Sequence, residues 1–221
     1  MNTSQPTPCP AAIVFDLGGV LIDWNPRYLY RRFFPDDPQA MERFLAEIHF
    51  SEWNVVQDAG RPFAEAIPEK CAEHPAYAEL IRAYDTCYEE TVGGPIQPVV
   101  EILGALRQAG YPLYALSNWP QETFVRVRPK YAFFEWFDQI FISGEVKLVK
   151  PDARFYHWML ARIGRGAGEC IFIDDSPVNI AAAERLGFQT VLFRSAEQLR
   201  AELEQRGIQV DRTIPPIREQ K

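Results

Sequence analysis

Cysteine and histidine are scarce in this 221-residue sequence, which contains four cysteines and three histidines. No two cysteines form a C-x-x-C pair, so the sequence does not indicate a zinc site or a dithiol redox centre. It lacks an apolar run long enough to cross a bilayer, and its N-terminus has neither the basic start nor the apolar core of a signal peptide. We therefore expect a protein of the reducing cytoplasm with no membrane partner.

Basic residues are fewer than acidic ones. The sequence has 23 lysines and arginines against 30 aspartates and glutamates, for a net charge of -7. Proteins that bind duplex DNA normally carry a basic face, so nucleic acid is not an expected partner. Hydrophobic residues make up 47% of the chain, which is ordinary for a globular protein that buries a sizeable core. The oligomeric state is left open between a monomer and a homodimer.

Short apolar runs alternate with amphipathic segments along much of the chain. The expected strands lie at 11–15, 112–116, 139–142, 170–173 and 189–193, and the expected helices at 99–108, 120–131, 152–163, 176–187 and 196–206. Strands that alternate with helices are typical of a parallel sheet covered on both faces. The sequence therefore predicts an α/β fold with a Rossmann-like parallel sheet.

Between residues 24 and 91 the alternation stops, and the sequence has helical spacing broken by prolines. This pattern predicts several short helices, inserted after the first strand as a small helical cap. We expect a catalytic core over 10–22 and 98–206, a cap over 23–97, and tails at 1–9 and 207–221. The segments 21–26 and 91–98 are the expected linkers between cap and core.

Polar residues follow the predicted strands at the points where they end. They are Asp16, Ser117, Asn118, Lys150, Asp174 and Asp175. Ligands of doubly wound sheets bind outside the carboxyl ends of the strands, so these groups should converge. Packed carboxylates repel one another, and a bound Mg²⁺ relieves that repulsion. With a lysine to hold an anionic group, the set predicts a phosphate site in which a carboxylate attacks phosphorus.

Four segments resemble the motifs of the haloacid dehalogenase superfamily, in the order that the family has them. They are Phe15-Asp16-Leu17-Gly18-Gly19-Val20-Leu21, Leu116-Ser117-Asn118, Lys150-Pro151 and Ile173-Asp174-Asp175-Ser176. The resemblance covers roughly residues 10 to 206, and the inserted helices resemble the family's small helical cap. The first motif, with glycine two residues after the aspartate, is similar to that of a subgroup that includes sugar-1-phosphate phosphatases.

The resemblance implies roles for the acidic residues. Asp16 is the expected nucleophile, which forms an aspartyl-phosphate and also ligates Mg²⁺. The backbone carbonyl of Gly18 is a second expected metal ligand. Asp175 is a third, and Asp174 is either a ligand or a partner of one.

The resemblance also implies how the phosphoryl group is held. Ser117 and the backbone of Asn118 are expected to bind its oxygens, and Lys150 to neutralise both Asp16 and the phosphoryl group. Such transfer relies mainly on positioning and charge neutralisation.

One position departs from the family pattern. Most of the family's phosphatases carry a second aspartate two residues after the nucleophile, where this sequence has Gly18. That aspartate protonates the leaving oxygen, a contribution of about 10²–10⁴-fold. Three alternatives remain: substrates with good leaving groups, a substitute residue from elsewhere such as the cap, or loss of turnover.

The expected function is hydrolysis of a small phosphorylated metabolite, with sugar phosphates as the class that the subgroup suggests. One alternative is a 2-haloacid dehalogenase, in which Asp16 attacks carbon without a metal. Another is a non-catalytic member that binds phosphate or metal. The pair Asp174 and Asp175 favours the Mg²⁺ branch, because adjacent carboxylates without a cation are a liability.

The cap is expected to set specificity. Its segments 48–53 and 53–60 resemble cap segments of the same subgroup, and we predict that His49, Trp53 and Asp58 line the entrance to the site. The competing interpretations are core packing for Trp53 and an ordinary surface or core position for His49. Asn179, one turn after Asp175, is expected either to orient a carboxylate or to face solvent.

Overall fold

The computed structural model describes residues 12–210, which form seven strands and eleven α-helices. The strands are β1 (Ala12–Phe15), β2 (Ile22–Trp24), β3 (Val92–Pro95), β4 (Leu113–Ser117), β5 (Gln139–Ile142), β6 (Cys170–Asp174) and β7 (Gln189–Leu192). The helices are α1 (Pro26–Tyr30), α2 (Pro38–Glu47), α3 (Phe50–Asp58), α4 (Phe63–Glu73), α5 (Ala78–Thr86), α6 (Gln97–Gln108), α7 (Gln121–Val127), α8 (Ser143–Val146), α9 (Ala153–Ile163), α10 (Pro177–Arg185) and α11 (Ala196–Gln205).

Five strands form one parallel sheet in the order β5-β4-β1-β6-β7. The middle strand, β1, is buried along its whole length. Its Ile13 and Phe15 pack into the hydrophobic cluster that contains residues of α6 and α11, while Ala12 and Val14 pack into the cluster that contains residues of α9 and α10. Burial on both faces explains why β1 is apolar at every position. The predicted α/β fold is confirmed.

The chain leaves and re-enters the core through β2 and β3, which pair antiparallel with Ile22 opposite Pro95. Helices α1 to α5 lie between these two strands. These two strands lie within the predicted linkers, 21–26 and 91–98, and form a two-stranded ribbon that the sequence did not predict. Three or four residues with no alternating pattern give no local indication of a strand, and the partner lies some seventy residues away in the chain.

An aromatic cluster around Tyr84 forms the core of the cap. The ring of Tyr84 contacts Phe50, Trp53, Phe63 and Tyr88 at centroid separations between 5.0 and 5.8 Å. Three of these pairs are T-shaped, an arrangement worth about 0.5–1.5 kcal/mol per pair beyond the area that it buries. The cap is therefore a packed unit and not a loose lid.

The cap is docked on the core by polar contacts along α7 and α8. Glu122 of α7 accepts from the backbone N–H of Phe63 at 3.0 Å, and Arg126 donates to the carbonyl of Asp85 at 2.7 Å. Ser143, at the start of α8, donates its hydroxyl to the carbonyl of Asp58 at 2.6 Å. These contacts hold the end of α3 over the carboxyl ends of the strands.

The chain stays packed past α11, because Ile208 and Val210 are both buried. The predicted tail at 207–221 therefore begins with packed residues, and its remainder and the predicted tail at 1–9 lie outside the described residues. Within residues 12–210, no helix has the length and apolar character needed to traverse a membrane.

Candidate active site

The carboxyl ends of β1, β4 and β6 bring the predicted polar residues together. Asp16 follows β1, and its backbone N–H donates to the carbonyl of Ile173 at 2.8 Å. Lys150 reaches between two of the carboxylates, with Nζ 2.9 Å from Oδ2 of Asp16 and 2.7 Å from Oδ2 of Asp174. Its side chain is 1% exposed. Residues far apart in the sequence thus form one buried charge cluster, because parallel strands end at the same edge of the sheet.

The cluster carries more negative than positive charge. Burial raises the pKa of Asp16 to about 7, against the opposing charge of Lys150 and with a further increase from Asp174. Burial alone lowers the pKa of Lys150, but Asp16 and Asp174 raise it above its usual value. Lys150 therefore stays an ammonium and cannot balance all the carboxylates around it.

Asp174 is held by donors on both of its oxygens. Oδ1 accepts from the backbone N–H of Ser176 at 2.8 Å and from Asn179 at 3.1 Å. Oδ2 accepts from Lys150 at 2.7 Å and from Asn179 at 3.1 Å. Of the two placements foreseen for Asn179, the structure has the one that orients a carboxylate, and that carboxylate is Asp174. Asp174, itself held by these donors, therefore holds the ammonium of Lys150 in place.

The donor set fits a hard divalent cation. Asp16, Asp174 and Asp175 each offer an oxygen, and these oxygens lie within 4.8 Å of one another. Partial desolvation and the charge of Asp174 raise the pKa of Asp175, as expected for crowded carboxylates without a counter-charge. Mg²⁺ prefers oxygen ligands and binds through one or two carboxylates. Asp16 and Asp175 would provide those, with Asp174 behind them.

Glycine at position 19 leaves the space that the Asp175 carboxylate occupies. Its φ is +74°, and a Cβ there would lie 2.3 Å from Oδ2 of Asp175. We expect Gly19→Ala to displace Asp175 and to weaken Mg²⁺ binding about 10–100-fold, the effect of disturbing a residue that orients a metal ligand. Isothermal titration calorimetry with Mg²⁺ measures this loss.

Gly110→Ala is the matched control, because Gly110 has a φ of +80° and a Cβ there would meet no atom within 4 Å. Both variants carry the same backbone strain, of order 1–2 kcal/mol, and Gly19→Ala alone adds the collision. Equal Mg²⁺ affinity in the two variants would contradict the prediction.

The two residues that end β4 differ in how they are used. Ser117 is buried and lines the cavity beside Asp16. The side chain of Asn118 bonds with the backbone of Lys150 in both directions, accepting from its N–H at 2.8 Å and donating to its carbonyl at 2.9 Å. Asn118 thus fixes the loop that carries Lys150, and it also lines the cavity.

A cavity of about 380 Å³ opens above the charge cluster, between core and cap. Its lining consists of Asp16, Gly18, Gly19, Trp24, Asn54, Asp58, Tyr88, Ser117, Asn118, Trp119 and Asp175. The core side is acidic and polar, and the cap side adds aromatic rings. This composition suits a small molecule that has an anionic end and a less polar body.

Of the three predicted cap residues, the structure brings Asp58 alone to this cavity. Trp53 is buried within the cap, with ring centroids 6.1 Å from Phe50 and 5.5 Å from Tyr84. His49 is exposed and lines a second cavity of about 390 Å³. His49 directly precedes α3, and Asp58 is the last residue of that helix. The nine residues of α3 therefore place the two about 13 Å apart.

The rotation of α3 decides which of its residues face the site. Asn54 and Asp58 are four residues apart and so share one face of the helix. Both line the cavity, and Asn54 Nδ2 donates to Oδ2 of Asp58 at 3.0 Å. Trp53 instead packs into the cap, against Tyr84.

Several residues that line the cavity were not predicted, among them Asn54, Tyr88 and Trp119. Ser143, which bonds to the backbone of Asp58, was not predicted either. Ser143 follows β5 directly, so the strand-end pattern that indicated Asp16 applied to it as well. Trp119 lies two residues after the end of β4, next to the predicted Ser117 and Asn118. Asn54 and Tyr88 carry no comparable pattern, because the docking of the cap brings them to the site.

Comparison with known proteins is consistent with this geometry. Residues 10–187 match the haloacid dehalogenase-like hydrolase family. A sesquiterpene phosphatase of Aspergillus oryzae is 29% identical over 180 residues, covering 80% of this chain and 86% of the relative.

Two solved structures share the fold. A family enzyme of Bacteroides thetaiotaomicron, crystallised with magnesium and inorganic phosphate, superposes with a TM-score of 0.64 at 24% identity, over 84% of this chain and 95% of its own. The L-2-haloacid dehalogenase of Xanthobacter autotrophicus, with chloropropionic acid covalently bound, superposes with a TM-score of 0.60 at 18% identity, over 94% of this chain and 85% of its own. The fold alone therefore does not separate attack on phosphorus from attack on carbon.

Proposed function

We propose that this chain, which belongs to the haloacid dehalogenase-like hydrolase family, is a Mg²⁺-dependent phosphatase that acts on a small phosphate monoester through an aspartyl-phosphate on Asp16. The observation that carries the proposal is the cluster of three carboxylates, two of which contact the ammonium of Lys150. A carboxylate that attacks carbon needs no such cluster, whereas one that attacks a phosphate dianion must first have the surrounding negative charge neutralised.

In the proposed reaction a carboxylate oxygen of Asp16 attacks phosphorus. The backbone N–H of Leu17 donates to Oδ1 of Asp16 at 2.7 Å and Lys150 holds Oδ2 at 2.9 Å, so the carboxylate is oriented before substrate arrives. Lys150, Ser117 and the backbone of Asn118 bind the phosphoryl oxygens. Bound Mg²⁺ would offset the charge that Asp16, Asp175 and the phosphoryl group bring together.

The substrate is proposed to be a small phosphorylated metabolite that the 380 Å³ cavity encloses. Sugar phosphates are the first class to assay, because Asn54 and Asp58 offer hydrogen-bond partners to hydroxyl groups. Terpenyl phosphates are the second, because Trp24, Tyr88 and Trp119 provide aromatic surface and a relative is a sesquiterpene phosphatase.

The test is release of p-nitrophenol from p-nitrophenyl phosphate with and without Mg²⁺. We expect release to require Mg²⁺. We also expect Mg²⁺ to stabilise the fold, by about 2.7 kcal/mol at a hundredfold excess over its dissociation constant, as measured by urea denaturation.

Asp175→Asn should lose most of this stabilisation, while Asp152→Asn, which alters a partly exposed carboxylate paired with Arg154, should keep it. Metal-independent release of halide from 2-chloropropionate, with no phosphatase activity, would overturn the proposal in favour of the dehalogenase. Mg²⁺ binding with no turnover on any phosphate ester would indicate a non-catalytic member.

A further inference from the structure

The proposed phosphatase reaction requires a proton at the leaving oxygen, and the residues assigned above do not provide it. Lys150 is held between Asp16 and Asp174. Asp16 is the attacking group, and Asp175 belongs to the metal set. The titratable side chains that remain in the cavity lining are Asp58 and Tyr88. Burial, together with the charge of Asp58, raises the pKa of Tyr88, so the phenol is a poor proton carrier near neutral pH.

Asp58 is placed in the cavity by two hydrogen-bond chains. Tyr84 donates its hydroxyl to Oδ1 of Asn54 at 2.5 Å, and this fixes the amide so that Nδ2 faces Oδ2 of Asp58 at 3.0 Å. A donor on that side leaves the other carboxyl oxygen to carry the proton. The side chain of Asp58 is thus oriented from within the cap.

The second chain ties Asp58 to the core. The backbone N–H of Trp119 donates to the hydroxyl of Ser143 at 2.9 Å, and that hydroxyl donates to the carbonyl of Asp58 at 2.6 Å. Trp119 immediately follows the residues proposed to bind the phosphoryl group. The backbone of Asp58 is therefore fixed relative to the phosphate-binding loop.

The surroundings of Asp58 favour a carboxyl group that exchanges its proton. Burial and the charge of Asp16, opposed by the charge of Lys150, together raise its pKa to about 7. The neighbouring groups also include Asn54, Tyr84 and Tyr88 of the cap and the hydroxyl of Ser143 of the core. A general acid–base works best with a pKa near the operating pH.

We infer that Asp58, contributed by the cap, is the general acid–base of this site and takes the role for which position 18 has only a glycine. This inference rests on the proposed phosphatase function.

The role divides into two balanced steps. In the first, an oxygen of Asp16 bonds to phosphorus, the bond from phosphorus to the leaving oxygen breaks, and the Asp58 proton passes to that oxygen. In the second, water attacks phosphorus, its proton passes to the Asp58 carboxylate, and the bond from phosphorus to Asp16 breaks. Asp58 is thus returned to its acid form and Asp16 to its carboxylate.

The experiment compares Asp58→Asn with the wild type on two esters, p-nitrophenyl phosphate and glycerol 2-phosphate. Glycerol 2-phosphate is an alkyl ester, and its alkoxide is a poor leaving group. Its kcat/KM should therefore fall about 10²–10⁴-fold in the variant. Nitrophenolate leaves without a proton, so kcat/KM for the aryl ester should change by about tenfold or less. For the aryl ester kcat alone should fall, because the second step lacks its base.

The variant should then accumulate phosphorylated Asp16. Rapid mixing with p-nitrophenyl phosphate should give a burst of nitrophenol stoichiometric with enzyme, and intact mass spectrometry should show one added phosphoryl group. Asp58→Glu, which keeps the carboxyl group, should recover part of the alkyl-ester rate.

Asp85→Asn is the matched control. Asp85 is a cap carboxylate that pairs with Arg126 of the core and does not line the cavity. A disturbance of cap docking should lower kcat/KM equally for both esters, so Asp85→Asn should show no dependence on the leaving group.

Equal loss on both esters in Asp58→Asn, or wild-type rates on both, would overturn the inference while the phosphatase function stands. Absence of any burst or phosphorylated Asp16, in the wild type and in every variant, would instead overturn the phosphatase function and the inference with it.

Discussion

Replacing Asp16 with asparagine is expected to remove phosphatase turnover, by on the order of 10⁶-fold, the size of loss found when a covalent nucleophile is deleted from a hydrolase. The amide has the same shape as the carboxylate but cannot form the aspartyl-phosphate. The backbone N–H of Leu17 and the ammonium of Lys150 both donate to Asp16, and the asparagine carbonyl can accept from one of them. We therefore expect a folded protein without activity.

Steady-state assays with p-nitrophenyl phosphate and Mg²⁺ measure this effect, and circular dichroism confirms the fold. Asp152→Asn is the control, because Asp152 is a carboxylate at the start of α9 whose partner is the exposed Arg154. It should keep wild-type activity. If Asp16→Asn retains more than about a hundredth of the wild-type rate, Asp16 is not the nucleophile, because loss of covalent catalysis costs far more than that.

Replacing Lys150 with methionine is expected to destabilise the metal-free protein by about 3–5 kcal/mol, since removal of one partner leaves buried charges uncompensated. Nζ of Lys150 contacts Asp16 and Asp174, and its side chain is 1% exposed. Methionine fills a similar volume, so the loss of stability measures the effect of removing the charge and not the effect of opening a cavity. Urea denaturation in the absence of divalent metal measures the change in the free energy of unfolding.

The control for this prediction is Lys130→Met, at an exposed position, where we expect a change within about 0.5 kcal/mol. The Lys150→Met variant should also lose activity, because Asp16 and the phosphoryl group lose their shared counter-charge. A Lys150→Met protein as stable as the wild type would mean that the carboxylates take up protons at no cost, against the geometry described here.

The core of the site could be predicted from the sequence, for a physical reason. A strand buried on both faces has to be apolar along its length, so β1, β4 and β6 are recognisable as short hydrophobic runs. Parallel strands end at one edge of the sheet, so the first polar residue after each run must lie near the others. Asp16, Ser117 and Asp174 follow from these two facts without any contact being known.

Local patterns were less informative where a residue's role depends on a partner. Asp174 and Asp175 are neighbours in sequence with the same side chain, yet Asp174 is saturated by Lys150, Asn179 and Ser176 whereas Asp175 is exposed. A strand-end pattern predicts that both are near the site. It does not predict which of the two carboxylates accepts the hydrogen bonds of the surrounding donors.

The cap was the least predictable part. Helical spacing indicates that α3 exists, but the face that it turns to the core depends on the aromatic cluster around Tyr84 and on the contact of Ser143 with Asp58. Both are long-range contacts. They direct Asn54 and Asp58 to the cavity, Trp53 to the cap interior and His49 to another surface.

The sequence by itself thus determined the parallel sheet, the helical insertion and the acidic cluster with its lysine, because periodicity and strand ends are local properties of the chain. The tertiary structure alone decided how α3 is rotated and docked, and with it which cap carboxylate meets Asp16. That choice depends on packing between residues such as Asp58 and Ser143, which lie 85 positions apart, and no local pattern encodes such a contact.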